Sequence, residues 1–162
     1  MSEKRKIVFD TLDRLGISYQ VWEHPAVYTI EEMDALNLPS PEAVVKNLFL
    51  RDAKGKQHFL VVLKKDKQAD LRGLGERLGV KLSFASEERL MKYLGLEKGS
   101  VTPFGVLNDE ARAVEVLLDA DLEHMPLVGV HPNENTATVA LRPEDLLRVI
   151  EEHGNPVEYL KL

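Results

Sequence analysis

The sequence predicts an α+β fold built as one domain over residues 1–162. Three observations lead there. Apolar runs suited to strands fall in adjacent groups, and segments of helical period are inserted in blocks rather than alternating with them one for one. A chain of 162 residues with 44% hydrophobic content also suffices for one sizeable core and is short for two.

From Glu3 to Leu15 the residues Ile7, Val8, Leu12 and Leu15 recur at helical spacing, and Gly16 suits a C-cap, so the chain opens with an amphipathic helix. "SYQVWEH" alternates, with Tyr19, Val21 and Glu23 on one side and Gln20, Trp22 and His24 on the other, until Pro25 interrupts what reads as a short strand. Thr29 with Glu32 forms a capping box for a brief helix that "NLPSP" ends. The centre is a hairpin: "AVVKNLFLRD", a turn at "AKGK", then "QHFLVVLKK", whose unbroken run from His58 to Leu63 implies cover on both faces.

Asp70 caps "LRGLGERLG", and Ser86 with Glu87 and Glu88 caps "EERLMKYLGL"; "KLSF" between them is a short strand or extended link. The stretch "GLEKGSVTPFGVLND" has the composition of a loop but carries Val101, Phe104, Val106 and Leu107, so it is expected to be ordered and packed. "AVEVLLDADL", "LVGV" and "TATVAL" read as strands. Pro143, Glu144 and Asp145 start the helix "EDLLRVIEEHG", Gly154 suits its C-cap, and "PVEYLKL" adds a last strand.

Composition excludes several function classes. The formal charge of -6, from 21 basic and 27 acidic residues, argues against broad sequence-blind binding to a polyanion but leaves room for a local basic site. Without cysteine there is no thiolate nucleophile, disulfide or Cys-based zinc site, which fits a reducing compartment. No apolar run reaches the length of a membrane span and "MSEKRKIVFD" lacks a signal-peptide core, so a cytoplasmic protein is expected.

Familiar catalytic constellations fail. "RGLGERLG" spaces Gly73, Gly75 and Gly79 one residue too long for a dinucleotide fingerprint and sits inside a helix pattern. There is no Walker loop, nucleophile elbow or metalloprotease histidine pair. The five histidines are scattered; His124 and His131 with a distant acid is a zinc arrangement left open, although surface or capping roles are simpler. "KKDKQAD" is a solvated turn or, through Lys64, Lys65 and Lys67, a phosphate contact.

Three segments invite more than a structural reading. In "VVKNLFLRD" a strand places Lys46, Leu48 and Leu50 on one face, so an ammonium stands at the mouth of an apolar surface. It needs a carboxylate, a route to solvent or an anionic ligand. In "GSVTPFG" a glycine, two hydroxyl residues and a proline can aim backbone N–H groups inward as an oxyanion receptor, or simply form a rigid connection. In "HPNENTAT" His131, Asn133 and Asn135 crowd polar groups after an apolar strand, where asparagines also serve turns.

Taken in order, "EHPAVYTIEE", "KNLFLRD", "LSFASEE", "LGLEKGSVTPFGVLND" and "HPNENTAT" resemble the landmarks of the freestanding aminoacyl-tRNA editing proteins related to the insertion domain of bacterial prolyl-tRNA synthetase. Within this YbaK-like family the chain is most similar to the Ala-tRNA(Pro) deacylases, the ProXp-ala or PrdX branch, from about Phe9 to about His153. The resemblance implies a mixed, largely antiparallel sheet curled into an open barrel with surrounding helices. It implies hydrolysis of the ester on a mischarged tRNA, with the tRNA(Pro) acceptor end as partner and prolyl-tRNA synthetase as a further candidate partner. Lys46 then corresponds to the family's essential lysine, facing the terminal phosphate or ester oxygen; Gly99, Ser100, Val101, Thr102 and Pro103 match its GxxxP loop. His131 matches the histidine beside the aminoacyl pocket, as a pocket group or a general base, and Asn47 is a second polar contact.

Lys64, Lys65 and Lys67 are expected to meet tRNA; no metal, other cofactor or covalent intermediate is expected. Ala43, Val44 and Val45 stand where family members often carry a polar residue, which leaves cysteine, serine and threonine beside alanine as the amino acid removed. A module that binds aminoacyl-tRNA or a nucleotide without cleavage is the competing reading. A protein-interaction domain in which Lys46 pairs internally is a more distant one.

Overall fold

The computed structural model describes residues 2–162. Helix α1 (Glu3–Arg14) starts where the Ser2 hydroxyl accepts from the Arg5 amide, and buries Val8, Phe9 and Leu12. Strand β1 (Gln20–Glu23) buries Trp22 alone. Helix α2 (Ile30–Ala35) is capped by Thr29, whose hydroxyl accepts from the Glu32 amide at 3.0 Å. Strands β2 (Val45–Asp52) and β3 (His58–Lys64) form the expected hairpin, its turn closed by Asp52 Oδ1 accepting from the amides of Lys56 and Gln57.

Asp70 caps α3 (Leu71–Leu78), "KLSF" supplies β4 (Leu82–Phe84), and Ser86 caps α4 (Glu87–Leu94). The glycine- and proline-rich stretch is ordered, with a 3-10 helix over Pro103–Asn108 in which all residues but Asn108 are buried. Strand β5 (Val114–Asp119), a 3-10 turn over Ala120–His124, β6 (Val128–Val130), β7 (Ala137–Leu141), α5 (Pro143–His153) and β8 (Val157–Leu160) complete the chain. Among the described residues no helix is long and apolar enough to cross a membrane.

The strands form two sheets, one ordered β4-β2-β3-β5-β8 and one ordered β1-β7-β6. Pairings are antiparallel except β3 with β5 and β5 with β8, so the mixed, largely antiparallel α+β expectation holds. Strand β3 is central and covered on both faces. Leu60 and Val62 pack in the main core with α1, α5 and Phe104, while Phe59, Val61 and Leu63 pack with Leu50, Leu74 and Leu117. The alternation of a strand sends its side chains to the two layers in turn.

The expected open barrel is corrected: among the described residues no sheet closes, and the one backbone bridge between the two sheets is the parallel one of Val44 with Gly129. Local chemistry stops the ladder there. Val44 follows a 3-10 turn at Pro41–Ala43, and β6 runs for three residues before His131 and Pro132, the latter without an amide proton to donate. At the bridge, a side chain on Gly129 would bring a Cβ to 3.0 Å from Thr138 Cγ2 and 3.6 Å from the Val44 backbone. The bare glycine lets the sheets approach, and a cleft opens beside their seam.

Candidate active site

The cleft has a volume of about 270 Å³ and draws its walls from both sheets. Its apolar side comes from Val27, Ile30, Met33 and Val44, of which Val27, Met33 and Val44 belong to a small buried cluster with Trp22, Leu38 and Ala140. Its polar side comes from Lys46, Asn47, His131 and Thr138, with Gly99 and Val101 closing one edge. Lys46, Gly99 and His131, far apart in sequence, therefore line one space.

Lys46 is half-buried in β2, opposite Leu63 in the hairpin register, and its face continues into Leu48 and Leu50 of the second core layer. Among the described residues it forms no ion pair, although the nearby Lys65 and Lys67 both do. The carboxylate-partner explanation for this ammonium thus fails, leaving solvent or an anionic ligand. Asn47, beside it, has its Oδ1 out of solvent contact and without a donor among the described residues, so that oxygen is ready to accept a hydrogen bond.

His131 follows β6 directly, with Nδ1 2.8 Å from the Ala137 carbonyl. A carbonyl only accepts, so Nδ1 carries the proton and donates, which leaves Nε2 of the neutral ring as an acceptor. Burial pushes its pKa below the ordinary histidine value, the Ala137 carbonyl opposes this, and neighbouring His24 adds to it. The ring is accordingly neutral near pH 7. His24 lies with its ring centroid 6.0 Å from that of His131, and its Nε2 is 2.9 Å from the hydroxyl of Thr138 on the cleft wall.

In the 99–103 loop only Gly99 and Val101 face the cleft. Gly99 has φ +86°, and a Cβ there would fall 2.5 Å from Cδ1 of Tyr28, so glycine is required both by conformation and by the ring lying against it. Ser100 is buried with its amide donating to the Glu97 carbonyl, and Pro103 is buried at the start of the 3-10 helix. Thr102, fully buried, donates its hydroxyl to the His131 carbonyl at 2.6 Å. These three hold the loop rather than line the space.

Residues 24–149 match the model of the aminoacyl-tRNA editing domain. The chain belongs to that family. It is 51% identical to "Prolyl-tRNA editing protein ProX" of Acetoanaerobium sticklandii over 161 residues, covering 99% of this chain and 98% of that protein. It is 39% identical to "Prolyl-tRNA synthetase associated domain-containing protein 1" of Mus musculus, over 95% of this chain and 94% of that one. Among solved structures, one described as a candidate trans-editing enzyme for prolyl tRNA synthetase aligns with a TM-score of 0.75 at 26% identity, covering 100% of this chain and 99% of that one.

The remaining sequence-derived residues of this editing domain divide. Lys64 ends β3 opposite Val45, with its ammonium in no ion pair among the described residues. Lys65 pairs with Asp34 at 2.6 Å. Lys67 pairs with the fully buried Asp119 at 2.8 Å and with Asp121 at 2.6 Å, and donates to the Leu162 carbonyl. Asn133 adopts φ +63° in the turn before β7, and Asn135 donates to the Val27 carbonyl at 2.9 Å, bracing the loop that carries Tyr28. No group of three or more His, Cys, Asp or Glu side chains clusters to hold a metal among the described residues, around His124 or elsewhere.

Sequence reading missed Tyr28 and Thr138, which line the cleft, and His24, which stands behind Thr138 and His131. A signal existed for His24, since alternation in "QVWEH" puts it on the side of buried Trp22. Tyr28 and Thr138 reach the cleft only through pairing of β1 with β7 and the fold of the loop after it.

Proposed function

We propose that this editing domain is a trans-editing aminoacyl-tRNA deacylase that hydrolyses the ester of mischarged tRNA, with alanine on tRNA(Pro) as its substrate. The observation that carries the reading is the unpaired Lys46 ammonium facing a cleft that also holds a neutral His131 and a glycine-edged loop. The names of its relatives, an editing protein for prolyl-tRNA among them, point the same way.

In the reaction, water adds to the carbonyl carbon of the amino acid, the bond to the ribose oxygen of the terminal adenosine breaks, and that oxygen takes up a proton. Lys46 attracts the terminal phosphate or the ester oxygen and favours the negative charge that develops as water adds. Nε2 of His131 accepts a hydrogen bond from the water or from the substrate, and the neighbouring ribose hydroxyl assists in placing the water. An aminoacyl ester is already activated, so orientation and charge stabilisation suffice without a protein nucleophile.

The apolar floor of Val27, Met33 and Val44 supports alanine over serine or threonine, whose hydroxyl would lose water there without an assured partner. Such a site complements a synthetase whose proline pocket admits the smaller alanine, since each missing methylene yields only about 1–3 kcal/mol of discrimination. The expected compartment is the cytoplasm, where charged tRNA is used.

The test is deacylation of tRNA(Pro) charged with alanine, cysteine, serine or proline, with Lys46→Ala as control. Release of alanine with proline retained, abolished by the substitution, is the expected result. Esters unchanged in every case would replace the enzyme by a binding module.

A further inference from the structure

A second depression of about 240 Å³ lies beside the cleft and shares Asn47, Gly99 and Val101 with it. Its far side carries Phe84, a large apolar side chain left 62% exposed. The backbone around this ring is fixed: Phe84 pairs with Leu50 across the sheet, and the next amide, of Ala85, donates to the Phe49 carbonyl at 2.9 Å. An exposed aromatic face carried on a fixed backbone is suited to stacking on a planar partner.

We propose that this groove receives the adenine base of the terminal nucleotide, with Phe84 as its stacking platform; the proposal rests on the deacylase reading. The chemistry of the substrate demands two adjoining seats. The terminal ribose bears the aminoacyl ester on one edge and the base on another, so when the ester enters the cleft beside Lys46 and His131 the base must lie across whatever wall the ribose straddles. Asn47, Gly99 and Val101 form such a common wall. Asn47 thus borders both seats, where the ribose would cross. Tyr28, the other exposed aromatic near Gly99, lies on the cleft side of that wall, where the ester enters.

The experiment compares alanyl acceptor-stem RNA carrying a normal terminal adenosine with the same RNA, acylated chemically, whose terminal nucleotide lacks its base. Wild type and Phe84→Ala are assayed on both, and a terminal 2-aminopurine reports stacking by fluorescence. For wild type, loss of the base is expected to lower kcat/KM about ten- to hundredfold, mainly through KM. Phe84→Ala should be slowed to a similar degree on the normal RNA, with no further loss on the abasic one, and should abolish the quenching of 2-aminopurine that wild type shows. Phe84→Trp should restore both. If the base deletion costs Phe84→Ala as much as it costs wild type, or if quenching survives the substitution, the groove is not the base site. If wild type hydrolyses neither RNA, the deacylase reading itself fails.

Discussion

The Thr102 hydroxyl donates to the His131 carbonyl at 2.6 Å, joining the glycine-proline loop to the cleft histidine. The His131 ring is held in turn by the Ala137 carbonyl, so loop, histidine and β7 form one connected unit. Thr102→Val keeps the side-chain shape but removes the donor to the part-buried His131 carbonyl, which is expected to lower stability by about 1 kcal/mol in urea unfolding. In steady-state deacylation kcat should fall more than KM rises, because the ring orientation is disturbed; Thr102→Ser should retain both.

Lys46 is available for a phosphate or ester oxygen, and its removal should therefore show in the salt dependence. Lys46→Met is expected to lower kcat/KM about 100-fold, the scale of a lost charge-stabilising donor. The plot of log binding constant against log salt for tRNA should flatten by about 0.7–0.9, as for loss of one phosphate contact. An unchanged slope would assign Lys46 to the ester oxygen alone.

Lys67 presents the opposite case, since its ammonium neutralises a carboxylate with no solvent exposure. Lys67→Met leaves Asp119 with only the amides of Lys64 and Asp121 as donors and is expected to cost about 2 kcal/mol of stability. Thermal or urea unfolding of the variant measures this directly, and the salt slope for tRNA binding should stay near that of wild type.

Two histidines give stability a pH dependence of definite sign. His58 is 1% exposed between Phe49 and Tyr93, and burial followed by the charge of Arg89 pushes its pKa down; burial does the same to His131. A histidine depressed in the folded state binds its proton more readily when unfolded. Its stabilising contribution is therefore complete above the ordinary value of about 6.5 and declines as pH falls below it. The urea midpoint should be flat from pH 8 to 7 and drop toward pH 5.5, and His58→Phe should reduce that drop.

Much of the local structure was legible because it depends on neighbours in the chain. Thr29, Asp70 and Ser86 cap helices through amides three residues ahead, and Pro143 occupies a first helical turn whatever the rest of the fold does. The double-sided burial of β3 followed from an apolar run too continuous for a half-exposed strand. Lys65 and Lys67 were less legible, since their carboxylates lie 31 and 52 residues away and nothing local distinguishes a paired lysine from a solvated one.

The sequence by itself determined the α+β class, the helix starts and the hairpin, and it singled out Lys46, Gly99 and His131 as candidates, since periodicity, capping and motif order are properties of the chain. Only the tertiary structure decided that two sheets meet at the Val44–Gly129 bridge instead of curling into one barrel, that Tyr28 and Thr138 share the cleft, and that His24 stands beside His131. It alone determined which lysines are neutralised. Contacts between residues distant in sequence depend on how closely whole elements approach, and that spacing is set by packing summed over the entire core.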